Sequence, residues 1–377
     1  MPGGRGTLAC LALLVATACS PSDGSTYAWD LPPGFPEPRV PEDNPMSAAK
    51  VELGRFLFHD RRLSGNETQS CADCHQQDLA FTDARSVSIG STGETHPRGS
   101  MSLANMAYAS RLTWANPVLD GLEEQALVPL FGEQPVELGL AGREDELLAR
   151  LRDDPAYLTM FGQAFPRDAD PVSVGNVVRA LASFQRTLLS GDSPYDRYTY
   201  QGDDTALSES AQRGRDLFFS ERLECFHCHG GFGFTDSVQH DGSVSAEVAF
   251  HNNALYNIDG RGGYPAPNRG LFEHTGERRD MGRFRAPTLR NIAVTAPYMH
   301  DGSIATLDEV IDHYAAGGRT ILDGPNAGIG AESPLKSIFL HGFTLTDEER
   351  ADLLAFLHSL TDETFLRDPR FASPFEP

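Results

Sequence analysis

Apolar positions along the chain recur mostly at helical spacing. Val51, Gly54, Leu57 and Phe58 mark one face of a helix that Asn44 can cap, with Pro45 at its first position. Val174, Val177, Val178, Leu181, Phe184 and Leu188 predict a second helix over 171–190, which Gly191 can end. Thr346 and Glu349 are spaced as a capping box, and Leu353, Leu354, Leu357 and Leu360 follow on one side of a third. No segment alternates over strand length, so the pattern gives a mainly α fold. Small polar residues and then a proline-rich run predict a tether and extended segment over 20–43. Residues 191–204 read as a link between two units, 44–195 and 196–370.

Composition narrows the picture. A chain of 377 residues exceeds the size at which one hydrophobic core stops growing. Its 36 Gly and 25 Pro, with 40% hydrophobic residues, indicate long loops around helices rather than disorder. The net charge of −22 excludes a surface built for nucleic-acid phosphates and favours a basic partner. The apolar run 8–18 behind Arg5 is too short to span a bilayer and reads as an export signal. Residues 15–20 are similar to a bacterial lipobox with Cys19 as the lipidated residue. This leader, 1–19, predicts a periplasmic protein or outer-membrane-anchored lipoprotein of a Gram-negative bacterium, touching the membrane only through that lipid.

With Cys10 and Cys19 in the leader, four cysteines remain, and two disulfides would be the first expectation for an exported chain. Their arrangement says otherwise: Cys71-Ala72-Asp73-Cys74-His75 and Cys225-Phe226-His227-Cys228-His229. Two thiols two residues apart, followed by histidine, suit covalent attachment of a c-type haem with the histidine on iron. Zinc would need a fourth ligand that neither set supplies. His227 occupies one of the free positions. Gly214–Phe218 before the second motif echoes Gly54–Phe58 before the first, which marks an internal duplication. Met281, Met299, His300, His313 and Tyr314 are open as the sixth ligand of the second haem. Methionine would raise the potential and suit electron entry, whereas tyrosinate favours ferric and higher states.

The two motifs, with Arg285-Ala-Pro-Thr-Leu-Arg-Asn291 and Thr295-Ala-Pro-Tyr-Met-His-Asp-Gly302, resemble the bacterial di-haem cytochrome c peroxidase/MauG superfamily. Residues 27–35, 96–105 and 135–143 resemble its MbnH-type branch, whose members convert a tryptophan to kynurenine in an MbnP-type copper-binding partner. The resemblance implies two cytochrome c-like domains, each with one haem, facing each other across an interface. It implies Cys71, Cys74, Cys225 and Cys228 as attachment points, His75 and His229 as proximal ligands, and Tyr314 on the second iron. Gln125 and Pro129 match the peroxide pocket and Glu137 the acid–base carboxylate, with Glu133 a rival because two extra residues separate Pro129 from Glu137. Trp114 falls one residue from the spacing of the tryptophan between the haems. Asn105, with the carbonyls of Thr295 and Pro297, matches an inter-haem calcium site. Ser91 stands where many members have a histidine that closes the first iron, so that iron is expected to be open to peroxide at rest. His96 is close by in the same loop. The implied activity is hydrogen-peroxide-dependent oxidation of a partner's tryptophan by long-range electron transfer. The alternatives are a peroxidase fed by a small c-type cytochrome and a di-haem electron carrier.

Overall fold

The computed structural model describes residue 1, residues 27–246 and residues 248–375, so the export leader and Cys19 lie outside the described residues. Helices α1 (Ala48–His59), α2 (Cys71–Cys74), α3 (Leu122–Phe131), α4 (Glu144–Arg152), α5 (Pro155–Ala164) and α6 (Val174–Arg186) form the first half. The second half holds α7 (Pro194–Tyr200), α8 (Glu209–Phe218), α9 (Phe226–His229), α10 (Phe272–Thr275), α11 (Leu307–Ala315) and α12 (Asp347–His358). Two short antiparallel ribbons complete the described fold: β1 (His251–Asn252) with β2 (Arg283–Phe284), and β3 (Thr320–Ile321) with β4 (Gly328–Ile329). No described helix is long and apolar enough to cross a membrane.

Each half is built on one close helix crossing. A Cβ on Gly54 of α1 would stand 2.0 Å from the carbonyl oxygen of Ala180 on α6, and one on Gly214 of α8 would stand 1.9 Å from that of Asp352 on α12. Only glycine lets two helix backbones approach so far. One turn further along, Phe184 and Phe356 pack at the same two places. The duplication continues past these helices. Asn105 and Asn291 both take the left-handed conformation, at φ 60° and 61°. Their N–H groups donate to the carbonyls of Leu188 and Leu360 at 2.8 and 2.9 Å. Their side-chain oxygens accept from the N–H groups of Ser190 and Asp362 at 2.9 and 2.8 Å.

Several expectations are corrected by these long-range bonds. Ser47, not Asn44, caps α1, its Oγ accepting from Lys50 N. Asn44 is buried and donates to Glu123 and the Arg179 carbonyl, joining the start of α1 to α3 and α6. The helix expected over 171–190 begins at Val174, capped by Ser173, and stops at Arg186 because residues 188 and 190 bond to Asn105 instead. Residues 191–204 are not a free link: they contain α7, whose Asp196 holds Arg290 at 2.8 and 2.9 Å with both side chains fully buried.

The cores also exchange segments. Phe58, Phe161, Leu181 and Phe184 of the first core are joined by Phe365, Leu366 and Phe371 from the C-terminal end. The second core, around Phe218, Phe234, Leu353 and Phe356, takes Ala115 and the flank of Trp114 from the first half. Packing therefore does not divide at residue 195 as the sequence pattern suggests.

The glycine contact is directly testable. Gly54→Ala is expected to lose about 1–3 kcal/mol of stability by overpacking, read as a lower urea midpoint. Gly175→Ala, on the exposed face of α6 with open space around it, should instead hold or gain stability. Equal effects at both positions would contradict the tight crossing.

Candidate functional site

Both cysteine motifs are held as a single helical turn by the N–H of the following histidine. His75 N donates to Cys71 O and His229 N to Cys225 O, each at 3.0 Å. In α2 the turn is pinned by Ser70 N and Oγ, which donate to Asp73, while Arg61 pairs with the same carboxylate. The histidine rings are set alike. His75 Nδ1 donates to Phe81 O at 2.8 Å and His229 Nδ1 to Phe234 O at 3.2 Å. A carbonyl can only accept, so Nδ1 carries the proton and Nε2 is left with a lone pair for a metal. Burial lowers the proton affinity of both rings, keeping them neutral. Phe81 and Phe234 present these carbonyls from left-handed backbone, at φ 62° and 49°.

A cavity of about 430 Å³ opens over the first motif. Its walls include Cys71, Cys74, His75, Gln125, Pro129, Glu137 and Trp114. The chain thus brings seven of the sequence-selected residues to one space from four separate segments. The volume, the two free thiols and the ready imidazole fit a c-type haem, and Gln125 Oε1 is buried there without a hydrogen-bond partner among the described residues.

Glu137 is clamped by its backbone. Ser91 N donates to Glu137 O at 2.7 Å, Val136 N to Glu94 at 3.0 Å, and Leu138 N to Pro129 O at 2.9 Å. These bonds tie the 88–96 loop and α3 to the carboxylate-bearing segment, and burial pushes the Glu137 carboxyl up to about 6. Glu133, its rival, is exposed. Ser91 gives its backbone N–H to this clamp, and His96 lines the cavity with Nδ1 3.1 Å from both the N–H and the carbonyl oxygen of Arg98.

Trp114 belongs to both halves. It lines the cavity, donates from Nε1 to Gly99 O at 2.9 Å, and packs on the second core. Its ring meets the edge of His300 at 6.5 Å, and His300 stacks on Phe284 at 3.8 Å.

At the second motif, the candidate sixth ligands separate. His300 stacks on Phe284 and keeps a buried Nε2 without a partner among the described residues, while His313 donates from Nε2 to Asn253 O at 2.9 Å. Met281 lies at the edge of the second core. Tyr314 and Met299 meet at a residue sequence reasoning did not select, Asn253, whose Nδ2 donates to Met299 Sδ at 3.2 Å. Burial first, and then the Cys228 and Cys225 thiols, hold the Tyr314 phenol above its ordinary pKa, while its bond to Asn253 opposes them. The phenol is therefore within electrostatic reach of both cysteines of the motif.

Asn105, the expected calcium ligand, also serves the fold. Asn105 spends both ends of its amide on Ser190, Nδ2 donating to the carbonyl at 2.9 Å and Oδ1 accepting from the N–H. Asn291 uses its side-chain oxygen in the same way in the other half, so this is a fold latch, and the second lone pair of the Asn105 oxygen stays free.

Comparison with known proteins agrees with these features. A family model described as di-haem cytochrome c peroxidase matches residues 48–205. Cytochrome-c peroxidase IdrP1 of Denitromonas iodatirespirans is 35% identical, over 97% of this chain and 97% of that protein. Methylamine utilization protein MauG of Methylorubrum extorquens is 33% identical, over 88% of this chain and 83% of that one. A solved structure of a MauG-like protein associated with microbial copper homeostasis is 54% identical with TM-score 0.90, covering 92% of this chain and 99% of that chain.

The half-buried Glu137 carries a stability signature. Below its ordinary 4.5 the carboxyl is neutral in folded and unfolded chains alike, and above about 6 the folded protein bears the full cost of burying its charge. That cost is about 2 kcal/mol. Glu137→Gln is therefore expected to be more stable than the parent at neutral and alkaline pH, with the advantage fading as the pH falls toward 4.5. Urea unfolding across that range checks it, and a difference independent of pH would contradict it.

Proposed function

The chain belongs to the di-haem cytochrome c peroxidase/MauG family, and we propose that it is a hydrogen-peroxide-dependent oxidase acting over long range on a tryptophan of an MbnP-type copper-binding partner, giving kynurenine. The observation that carries this reading is the cavity that joins His75 and both thiols to Gln125, Pro129 and Glu137, with Trp114 leading from it to the second core. In this reading residues 44–195 carry the peroxide-side haem and residues 196–370 the electron-transfer haem, after export from the cytoplasm. Bound through Cys71, Cys74 and His75 and through Cys225, Cys228 and His229, the haems would supply the iron that takes and holds oxidising equivalents.

The chain's own residues supply the rest. Glu137, ionised above about pH 6, takes the proton from one oxygen of the peroxide and returns it to the other, which leaves as water. Gln125, whose buried oxygen has no protein partner, orients the peroxide by accepting its O–H. Pro129 closes the pocket wall with a ring that offers no proton. Trp114 relays electrons toward the peroxide side, and the hard oxygen of Tyr314 favours holding the second equivalent. A pocket sized for peroxide can thus act on a protein that never enters it.

A second reading, a peroxidase fed by a small c-type cytochrome, is favoured by one contact. Met299 Sδ lies at the same Asn253 as Tyr314, and a thioether ligand would make the second haem easy to reduce. The net charge of −22 suits a basic donor in that case.

Two variants separate the readings. With both haems attached, Glu137→Gln is expected to slow peroxide consumption by about 10²–10⁴-fold, and the parent's rate to fall as the pH drops below about 6. Tyr314→Met is expected to raise the potential of the His229 haem and turn it toward ordinary electron uptake. Unchanged haem spectra in Tyr314→Met would contradict tyrosine ligation.

A further inference from the structure

Three arginines are almost wholly buried: Arg186, Arg285 and Arg290. Arg186 bonds Glu123 through two nitrogens at 2.7 Å, and Arg290 bonds Asp196 in the same forked way. Arg285 is 3% exposed and differs from both. Its Nε donates to the Thr113 carbonyl at 3.2 Å and its Nη2 meets the Met101 sulfur at 3.4 Å. Among the described residues no carboxylate lies within ion-pair distance of it, and Asp236 attracts it only from farther away. Nη1 makes no hydrogen bond to another described residue. A buried cation left in this state is costly, and such charges are normally paired.

The position of this cation says what would pair with it. Arg285 lines a small cavity of about 30 Å³ together with Met101, Asn105, Thr235 and Ser237. Met101 also lines the large cavity above the first CxxCH motif. So does Trp114, whose carbonyl accepts from Arg285 N at 2.8 Å. The guanidinium therefore lies directly behind Met101 and Thr113, two wall residues of the space that fits the first haem, on the side of the second core. Every haem brings two propionate carboxylates, and a guanidinium fork matches a carboxylate through two parallel bonds.

We propose that Arg285 is a carboxylate-binding site that receives a propionate of the haem held by Cys71, Cys74 and His75. The site rests on the haem reading given above. It gives the buried guanidinium the anion that the other two buried arginines already have. It also fixes one edge of the macrocycle next to Trp114, and a compensated charge there keeps the neighbouring indole easy to oxidise.

The test is spectroelectrochemical titration of both haems in the holoprotein over a range of pH, for the parent, Arg285→Gln and Arg285→Lys. In Arg285→Gln the potential of the His75 haem is expected to move to a lower value, because a positive charge beside it is lost. That potential should also become dependent on pH near neutrality, because the unpaired propionate takes up a proton on reduction. Arg285→Lys should restore most of the potential while losing the forked geometry, read as a shifted propionate bending band in resonance Raman. Should Arg285→Gln not fold, the lysine variant and that band carry the test alone. Potentials and bands unchanged from the parent, or a shift confined to the His229 haem, would overturn the proposal. A parent protein without covalent haem absorption would instead refute the haem reading itself.

Discussion

A carbonyl oxygen stands 2.0 Å from where a side chain of Gly54 would begin, and another stands 1.9 Å from the same point on Gly214. These two backbone contacts set the distance between α1 and α6 and between α8 and α12, and the rest of each half is measured from them. The asparagine latches then bind the chain that follows each crossing, Asn105 to Ser190 and Asn291 to Asp362. The cysteine turns hang on the same frames, with Phe81 and Phe234 offering the carbonyls that orient the two histidines. The duplication is thus one of physical parts, in which a close helix crossing, a latch and a histidine rest occur twice.

The halves are not used alike. The first opens a cavity that gathers a neutral imidazole, two thiols, a buried amide oxygen and a carboxyl that burial pushes up to about 6. The second holds a tyrosine within electrostatic reach of its cysteines. Between them lie Trp114, the His300–Phe284 stack and the buried Arg285. In the proposed reading, the carboxyl pocket at one end and the phenol at the other, with aromatic rings between, would let electrons move through the protein while protons are dealt with locally.

Much of this was legible in the sequence because covalent haem attachment demands a short, rigid motif. Cys71 to His75 and Cys225 to His229 could be read at once, and the Gly54 and Gly214 echo pointed to the repeat. Glu137 could be proposed only with Glu133 as a rival, since the choice depends on which carboxylate the clamp from Ser91 and Pro129 turns inward. The helix starts and the supposed link were misread for a related reason: Asn44, Ser190 and Asp196 are engaged by residues far away in sequence. Asn253 and Arg285 escaped notice. Arg285 opens the Arg285–Asn291 motif, but with Arg283 and Arg290 close by in sequence nothing local marks it as the buried charge without a carboxylate.

The reading stands or falls on what peroxide does when the intact di-haem protein meets a copper-binding partner that carries a tryptophan. Mass spectrometry of that partner after peroxide treatment, with no added reductant, is the most direct measurement. The account predicts conversion of one partner tryptophan to kynurenine, with no change when peroxide is omitted. An unmodified partner, together with steady peroxide-dependent oxidation of a reduced small cytochrome, would contradict it and make the chain a cytochrome-fed peroxidase.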